Sequence, residues 1–133
     1  MTEKELNSVR ELKEQIRAKE WRLQALKTQA ENVVPVLDGL PHATEVKSRV
    51  ERLALQIVTL ELELPTLREQ FANAAFELGA KIDAAPLDAK AKAVLSLRYV
   101  SCLNFQDIWL KLDANDAQVF YLHRKALKIF LKN

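Results

Sequence analysis

The side chains best suited to bind a partner lie in the last helical run of the chain, residues 116–132. Six polar residues occupy the outer face or the flanks of this run: Asp116, Gln118, Tyr121, Arg124, Lys125 and Lys128. Three of the six are basic, and guanidinium and ammonium groups bind phosphate oxygens through charge-assisted hydrogen bonds. The chemistry indicated is anion binding and hydrogen bonding.

The positive charge of the chain is concentrated in the same region. From Pro86 to the C-terminus there are eight Lys or Arg and four Asp, a net charge of +4, whereas residues 1–85 carry 12 basic and 14 acidic residues. The whole chain is only +2, which excludes a polybasic coat for nucleic acid. A basic C-terminal module on a nearly neutral chain is typical of a part that meets phosphates.

Residues for catalysis, metal binding or redox chemistry are scarce. The single thiol, Cys102, cannot form an internal disulfide, and with His42 and His123 it has no spacing that resembles a zinc site. The sequence has no glycine-rich phosphate loop and no nucleophile next to a credible base. We expect a protein that is not an enzyme and that needs no metal or other cofactor.

The sequence also lacks a segment for membrane insertion or export. Its longest uncharged runs, such as residues 53–60, fall far short of the roughly 18 apolar residues that cross a bilayer. Residues 1–5 have neither the basic nor the apolar part of a signal peptide. We therefore expect a cytoplasmic protein with no membrane partner.

Composition and periodicity predict an all-α fold. With 49% apolar residues the chain can build a core, and two Gly and four Pro are too few for the turns of a β-sandwich or barrel. Apolar residues recur every three or four positions from Val9 to Val33, interrupted once by Lys19, which predicts a helix with one buried seam. The seam residues are Val9, Leu12, Ile16, Lys19, Leu23, Leu26, Ala30 and Val33. Pro35 should end this helix.

A second seam of the same kind follows the connection at residues 35–43. It comprises Val46, Val50, Leu53, Ile57, Leu60, Leu64, Leu67, Phe71, Ala74 and Leu78. The period continues through Pro65, which favours one kinked helix over two, although a break there stays open. Together the seams predict a long antiparallel, coiled-coil-like helical hairpin over residues 1–85, which serves for oligomerisation.

The predicted hairpin has more apolar residues than one seam can bury. Leu55, Val58, Leu62 and Phe76 lie off the seam of the second helix, and Trp21 lies off the seam of the first. A second copy of the hairpin would cover such residues in a four-helix arrangement. We expect a homodimer or a higher homo-oligomer, because heptads of this kind suit several states.

The pattern of residues 86–133 predicts a separate module of three helices. Pro86 or Asp88 opens the first helix, Asn104 caps a short second one, and Asn115 caps the last. The expected inward positions are Ala93, Val94, Leu97, Phe105, Ile108, Leu112, Val119, Leu122, Ala126 and Ile129. A short helix, a tight turn and a longer helix with a basic outer face form the layout of a helix-turn-helix, whose last helix lies in the major groove of DNA.

Three runs of this module resemble sigma factor region 4. They are residues 94–100 (VLSLRYV), residues 103–108 (LNFQDI) and residues 119–127 (VFYLHRKAL), which with their connections cover about a quarter of the chain. The similarity is closest to the small prophage-encoded transcriptional regulators of Gram-positive bacteria, which join a helical N-terminal part to such a module. Cys102 and Asp113 stand where glycine is common in this family, and at the position of Asp113 that glycine commonly has a positive φ.

The resemblance implies a transcriptional regulator that binds duplex DNA at specific sequences. Carried onto matching positions, it implies base reading by Asn115, Asp116, Gln118 and Tyr121, and phosphate contacts by Arg124, Lys125 and Lys128. Gln118 could pair with the edge of an adenine. The resemblance also hints at RNA polymerase as a partner. His123 lies in the family's Leu-His-Arg run, where it is either a packed helix residue or a phosphate contact.

A structural or DNA-packaging adaptor that assembles through the hairpin is the alternative interpretation. In that case the helices build a larger assembly or bind a protein, and the C-terminal module only packs. The cluster of Arg124, Lys125 and Lys128 discriminates between the two, because a regulator needs it for DNA. A membrane-binding final helix is disfavoured, since its apolar residues are better used in packing.

Overall fold

The computed structural model describes residues 2–33 and 43–132, without the side chains of residues 33 and 43. Within these residues all regular structure is helical, which confirms the all-α prediction. The α-helices are α1 (Glu3–Val33), α2 (Ala43–Ala84), α3 (Ala89–Leu95), α4 (Phe105–Leu112) and α5 (Asp116–Lys132), and a π-helical turn, Ser96–Val100, extends α3. The predicted connection at residues 35–43 lies outside the described part, apart from Ala43 at the start of α2.

The chain divides into two compact units. The first is Glu14–Glu69, called the 14–69 unit below. The second combines Met1–Lys13 with Gln70–Asn133 and is called the terminal unit, because it contains both ends of the chain. The boundary predicted after residue 85 falls inside the terminal unit, and the assignment of separate roles to residues 1–85 and 86–133 stays a prediction.

In the 14–69 unit, α1 and α2 pack on each other through the two predicted seams. Leu26, Leu53 and Leu60 are buried in one cluster, and Ile16 and Leu64 are buried as well. The half-buried residues packed against this cluster are Leu23, Ala30 and Ile57. The buried residues of this unit are therefore the ones that heptad spacing selects.

Ion pairs flank the seams of the 14–69 unit. They join Lys19 to Glu63 at 2.8 Å, Lys27 to Glu61 at 3.2 Å and Arg68 to Glu20 at 3.2 Å. From Glu20 to Lys27 on α1, the partner on α2 moves back from Arg68 to Glu61, so the two segments run antiparallel. The first pair also explains why a lysine interrupts the first seam, since Lys19 donates to a carboxylate of the facing helix.

Pro65 lies within α2, which continues through it as one helix. The prediction of a single helix is therefore confirmed. Proline has no N–H to donate, so the carbonyl of Glu61 loses its usual helical donor. Leu64, the seam residue beside the proline, is still only 2% exposed, so the lost hydrogen bond does not open the seam here.

In the terminal unit, α3 and α5 pack against the start of α1 and the end of α2. Their shared core consists of Leu6, Val9, Leu78, Ile82, Ala91, Leu95, Tyr99, Ala126 and Phe130. A second cluster joins α3, α4 and α5 through Val94, Ile108 and Val119, each fully buried. These three were predicted as core positions, whereas Phe130 is buried where Ile129 was expected and Ile129 is only half-buried.

Among the residues described, no helix combines the length and apolar character that crossing a membrane requires. The same residues contain no group of three or more His, Cys, Asp or Glu side chains that could hold a metal ion.

Candidate nucleic-acid interface

The turn between α4 and α5 is built by backbone geometry and a side-chain cap. Asp113 ends α4 in the left-handed conformation, with φ 50° and ψ 45°, and the N–H of Ala114 donates to the carbonyl of Trp109 at 3.1 Å. The Oδ1 atom of Asn115 then accepts from the N–H of Gln118 at 2.8 Å, and Oε1 of Gln118 accepts from the N–H of Asn115 at 3.4 Å. This reciprocal pair is a capping box, and it confirms Asn115 as the N-cap of α5.

The inner face of α5 is fixed by the core of the terminal unit. Val119 and Ala126 are completely buried, and Phe130 is 5% exposed. Val119 packs with Val94 of α3 and Ile108 of α4. Because these buried contacts hold α5 along its length, the rotation of the helix about its axis, and so the direction of its outer face, is set by the core.

Five of the seven predicted binding residues share the outer face of α5. They are Gln118, Tyr121, Arg124, Lys125 and Lys128, all of them exposed. At about 100° per residue they fall within a sector of about 120°. No residue in the described part of the chain forms an ion pair with the three cations. We call this sector the basic face.

The other two predicted residues stand at the beginning of α5. The Oδ1 atom of Asn115 is occupied by the cap, and Oδ1 of Asp116 accepts from the N–H of Ala117 at 2.8 Å. Asp116 lies about 140° around the helix from Tyr121. Its carboxylate is therefore turned away from the basic face and sits at the positive end of the helix dipole, where a negative charge is stabilising.

Aromatic side chains pack between α4 and α5. The ring of Phe120 lies 4.7 Å from that of Phe105 and 6.2 Å from that of Trp109, measured between centroids. Phe120 stays 41% exposed, so it covers the side of α4 without being enclosed. These tilted and edge-to-face contacts are favourable geometries for aromatic pairs. Phe120 thus belongs to the scaffold of the face, whereas Tyr121, which is 59% exposed, belongs to the face itself.

Arg98 is a cation that the sequence analysis did not single out. Its guanidinium lies 4.2 Å above the ring of Phe105, and its Nη1 atom donates to the carbonyl of Leu103 at 3.2 Å. Burial is the main reason why the pKa of Arg98 is lowered, followed by the nearby charge of Arg10. Arg98 therefore holds the segment before α4 in place and is not part of the basic face.

His123 faces inward beside this cluster. Its Nε2 atom lies 2.7 Å from the hydroxyl of Tyr99, and the two rings stack at 5.7 Å between centroids. Burial lowers the pKa of His123, with a smaller contribution from the charge of Arg98, and burial raises the pKa of Tyr99. Of the two interpretations of His123, the structure supports the packed helix residue. Tyr99 was missed because it lies 24 positions away in the sequence.

A groove with a volume of about 320 Å³ adjoins the N-terminal half of the basic face. Its lining residues are Lys90, Leu112, Asp113, Ala114, Gln118, Tyr121 and Leu122. Lys90 brings a cation from the first turn of α3 close to Gln118 and Tyr121. The sequence does not indicate this position of Lys90, because nothing local shows that the start of α3 lies beside α5.

Comparisons of this chain with protein-family models, with curated proteins and with solved structures find no match. Its function must therefore be inferred from the geometry and chemistry of its own residues.

Proposed function

We propose that this chain is a DNA-binding transcriptional regulator that reads duplex DNA with α5. One observation carries the proposal: a capped helix after a short helix and a tight turn presents three cations that form no ion pair with any described residue, next to a glutamine and a tyrosine. In this proposal α3, α4 and α5 form a helix-turn-helix of the sigma region 4 kind, and α5 enters the major groove. The long helices form the hairpin that assembles two copies.

The residues of the basic face divide into two roles. Arg124, Lys125 and Lys128 contact phosphates, which supplies affinity that falls with salt concentration but carries little sequence information. Gln118 and Tyr121 face base edges. A glutamine amide can form two hydrogen bonds with adenine, for which Oε1 of Gln118 exchanges its long contact with the N–H of Asn115 for the amino group of the base. Lys90 adds a cation beside them.

Asn115 and Asp116 are proposed to approach the bases from the start of α5. The amide nitrogen of Asn115 is a donor that the cap does not use, since the cap engages the oxygen. A carboxylate such as that of Asp116 can accept from the amino group of cytosine. Because Asp116 points away from the cations, it does not neutralise them.

The proposed regulator acts as a homodimer or a higher homo-oligomer in the cytoplasm of a bacterial host cell. A dimer would present two copies of α5 to one duplex at a fixed spacing, which favours a site made of two half-sites. A prophage origin and a contact with RNA polymerase belong to the proposal through the resemblance to sigma factor region 4.

The proposal is tested by selection from a pool of random duplex DNA at two salt concentrations. The variants are the wild type, an Arg124/Lys125/Lys128 triple alanine variant, and a control in which Arg17, Arg22 and Arg52 are replaced by alanine. All three control residues are exposed arginines of the 14–69 unit, so both triple variants lose the same charge. We expect an enriched motif with the wild type and the control. The basic-face variant should lose enrichment, and its dependence of log affinity on log salt should be shallower by about 3.

The other outcomes separate the alternatives. Retention that depends on salt but enriches no motif would overturn sequence-specific regulation and favour a DNA-packaging adaptor. If no DNA is retained, or if both triple variants lose it equally, the basic face is not a DNA-reading surface and a protein-binding role replaces the regulator.

A further inference from the structure

The outer side of α2 in the 14–69 unit carries a second apolar stripe. Leu55, Val58 and Leu62 are spaced by three and four residues and are 68%, 49% and 71% exposed. At about 100° per residue, the centre of this stripe lies about 160° from the seam that packs on α1. This part of α2 therefore has apolar surfaces on opposite sides, and no described residue covers the outer one. We call it the outer stripe.

Charged residues along the outer stripe restrict how a second copy can approach. Glu51 and Glu69 lie close to its centre line, and Lys47 lies near its edge, as helical spacing shows. None of the three forms an ion pair with a described residue. In a parallel pairing in register, each glutamate would face its own counterpart, and like charges across an interface are unfavourable.

An antiparallel pairing removes this conflict. When two copies of α2 cross with Val58 near the two-fold axis, Leu55 of each copy lies opposite Leu62 of the other. The same register brings Glu69 next to Lys47 of the second copy, because the two positions lie almost equally far from the centre on opposite sides. The arrangement buries the apolar residues at the centre and pairs opposite charges at both ends.

We propose that two copies of this chain dimerise through the outer stripes of α2, antiparallel and centred at Val58, with Lys47–Glu69 pairs at the two ends. The same patch of both copies forms this interface, as two-fold symmetry requires. This inference rests on the homodimer within the proposed function and assigns its surface and register. Trp21 is 84% exposed on the side of α1 opposite its seam, so this dimer leaves it outside.

The surface is tested by sedimentation equilibrium on Leu55→Glu, Leu62→Glu and Trp21→Glu variants of the full chain. Each leucine occurs twice in the dimer, so we expect the dissociation constant to rise by about 100-fold or more for either leucine variant. The Trp21→Glu variant should match the wild type. Circular dichroism confirms that all three stay helical. A monomeric wild type, or equal effects at Leu55 and Trp21, would overturn the proposal.

The register is tested by charge exchange. Lys47→Glu and Glu69→Lys should each weaken dimerisation by about 3- to 10-fold, because each substitution breaks two exposed ion pairs and brings like charges together. The double variant carrying both substitutions should recover most of the wild-type affinity, since the pair is restored with its signs reversed. If the double variant is as weak as the sum of the two single ones, Lys47 and Glu69 do not face each other.

Cross-linking gives an independent readout of the register. In a Cys102→Gly background, which suits the positive φ of 60° at that position, single cysteines replace Leu55, Val58 or Leu62. With a thiol cross-linker shorter than about 8 Å, which cannot span six residues along a helix, Val58→Cys should link to itself. Leu55→Cys and Leu62→Cys should link only when mixed. Self-linking at all three positions would show a parallel dimer and overturn the antiparallel register.

The same variants distinguish failure of this inference from failure of the proposed function. A monomeric Leu55→Glu variant that still retains DNA in a salt-dependent way supports both the dimer surface and DNA binding by α5. If the outer stripe mediates dimerisation but the wild type retains no DNA, the proposed dimer surface is supported and the proposed DNA-binding function is wrong.

Discussion

Three cations of the 14–69 unit and the three cations of the basic face on α5 have different environments. In the 14–69 unit, Lys19, Lys27 and Arg68 each lie within 3.2 Å of a glutamate on the facing helix. On α5, Arg124, Lys125 and Lys128 have no such partner among the described residues. Exposed ion pairs contribute little to stability, typically about 0–1 kcal/mol. The difference therefore concerns mainly which cations can bind an external anion. The three paired cations already contact a carboxylate within the protein, whereas the three on α5 contact none among the described residues.

The largest effect is expected from removing the support beneath the basic face. Ile108→Ala deletes most of a completely buried side chain in the cluster below α5, and such truncations cost about 2–5 kcal/mol. Urea unfolding should show this loss, while Trp21→Ala, at a site 84% exposed, should change stability by no more than about 0.5 kcal/mol. Equal unfolding midpoints for both variants would contradict the core assigned to the terminal unit.

Two single-arginine variants test whether DNA binding depends on the cations of α5 and not on those in ion pairs. Arg124→Ala should weaken DNA binding and reduce the slope of log affinity against log salt by about 1, because one phosphate contact is lost. Arg68→Ala removes the same charge from an ion pair and should leave that slope unchanged. Filter binding at several salt concentrations measures both. A similar loss for both variants would mean that net charge, not position on α5, determines affinity.

A smaller effect is expected at the cap that begins α5. Asn115→Ala removes the oxygen that accepts from the N–H of Gln118, and loss of such a cap costs about 1 kcal/mol. Asn115→Asp keeps a good capping oxygen and should retain most of the stability. Thermal unfolding of both variants checks this. If alanine and aspartate behave alike, the capping box does not stabilise α5.

The smallest effect is a dependence of stability on pH through His123. Burial and Arg98 lower its pKa in the folded chain relative to the ordinary value of 6.5, so the unfolded chain takes up the proton first as the pH falls. The contribution of His123 is fully present above that value and is lost as the pH drops from it through the folded-state pKa. The unfolding free energy of His123→Gln should fall less than that of the wild type over this range. Identical pH profiles would contradict the buried, neutral histidine.

Local signals in the sequence were sufficient for much of the fold. The heptad period selected the buried residues of the 14–69 unit and carried α2 through Pro65, because a periodic apolar face reports directly on burial. The caps at Asn104 and Asn115 were also predicted, and Asp88 was one of the two predicted starts of α3. Each of these side chains accepts a backbone hydrogen bond at the start of its helix. The positive φ values at Cys102 and Asp113 lie where the resemblance places glycine.

Contacts between distant segments could not be predicted in the same way. Periodicity shows which side of a helix is buried but not which helix covers it, so the packing of Leu6 and Ile82 with Leu95 went unnoticed. Contacts between distant segments at the candidate site could not be predicted either. The outer face of α5 was predicted from its own spacing, whereas the groove beside Lys90 and the contact of Tyr99 with His123 depend on segments that meet only in the folded chain.

The π-helical turn at Ser96–Val100 has an evolutionary consequence. The N–H of Ser101 donates to the carbonyl of Ser96, five residues earlier, which is one residue more than an α-helical turn contains. A chain that lacks one residue of this turn can close it as a regular α-helix, because the wider turn is what accommodates the extra residue. We therefore expect a one-residue difference in length to be tolerated better here than in the α-helical part of α3, where a deletion would rotate every following side chain by about 100°.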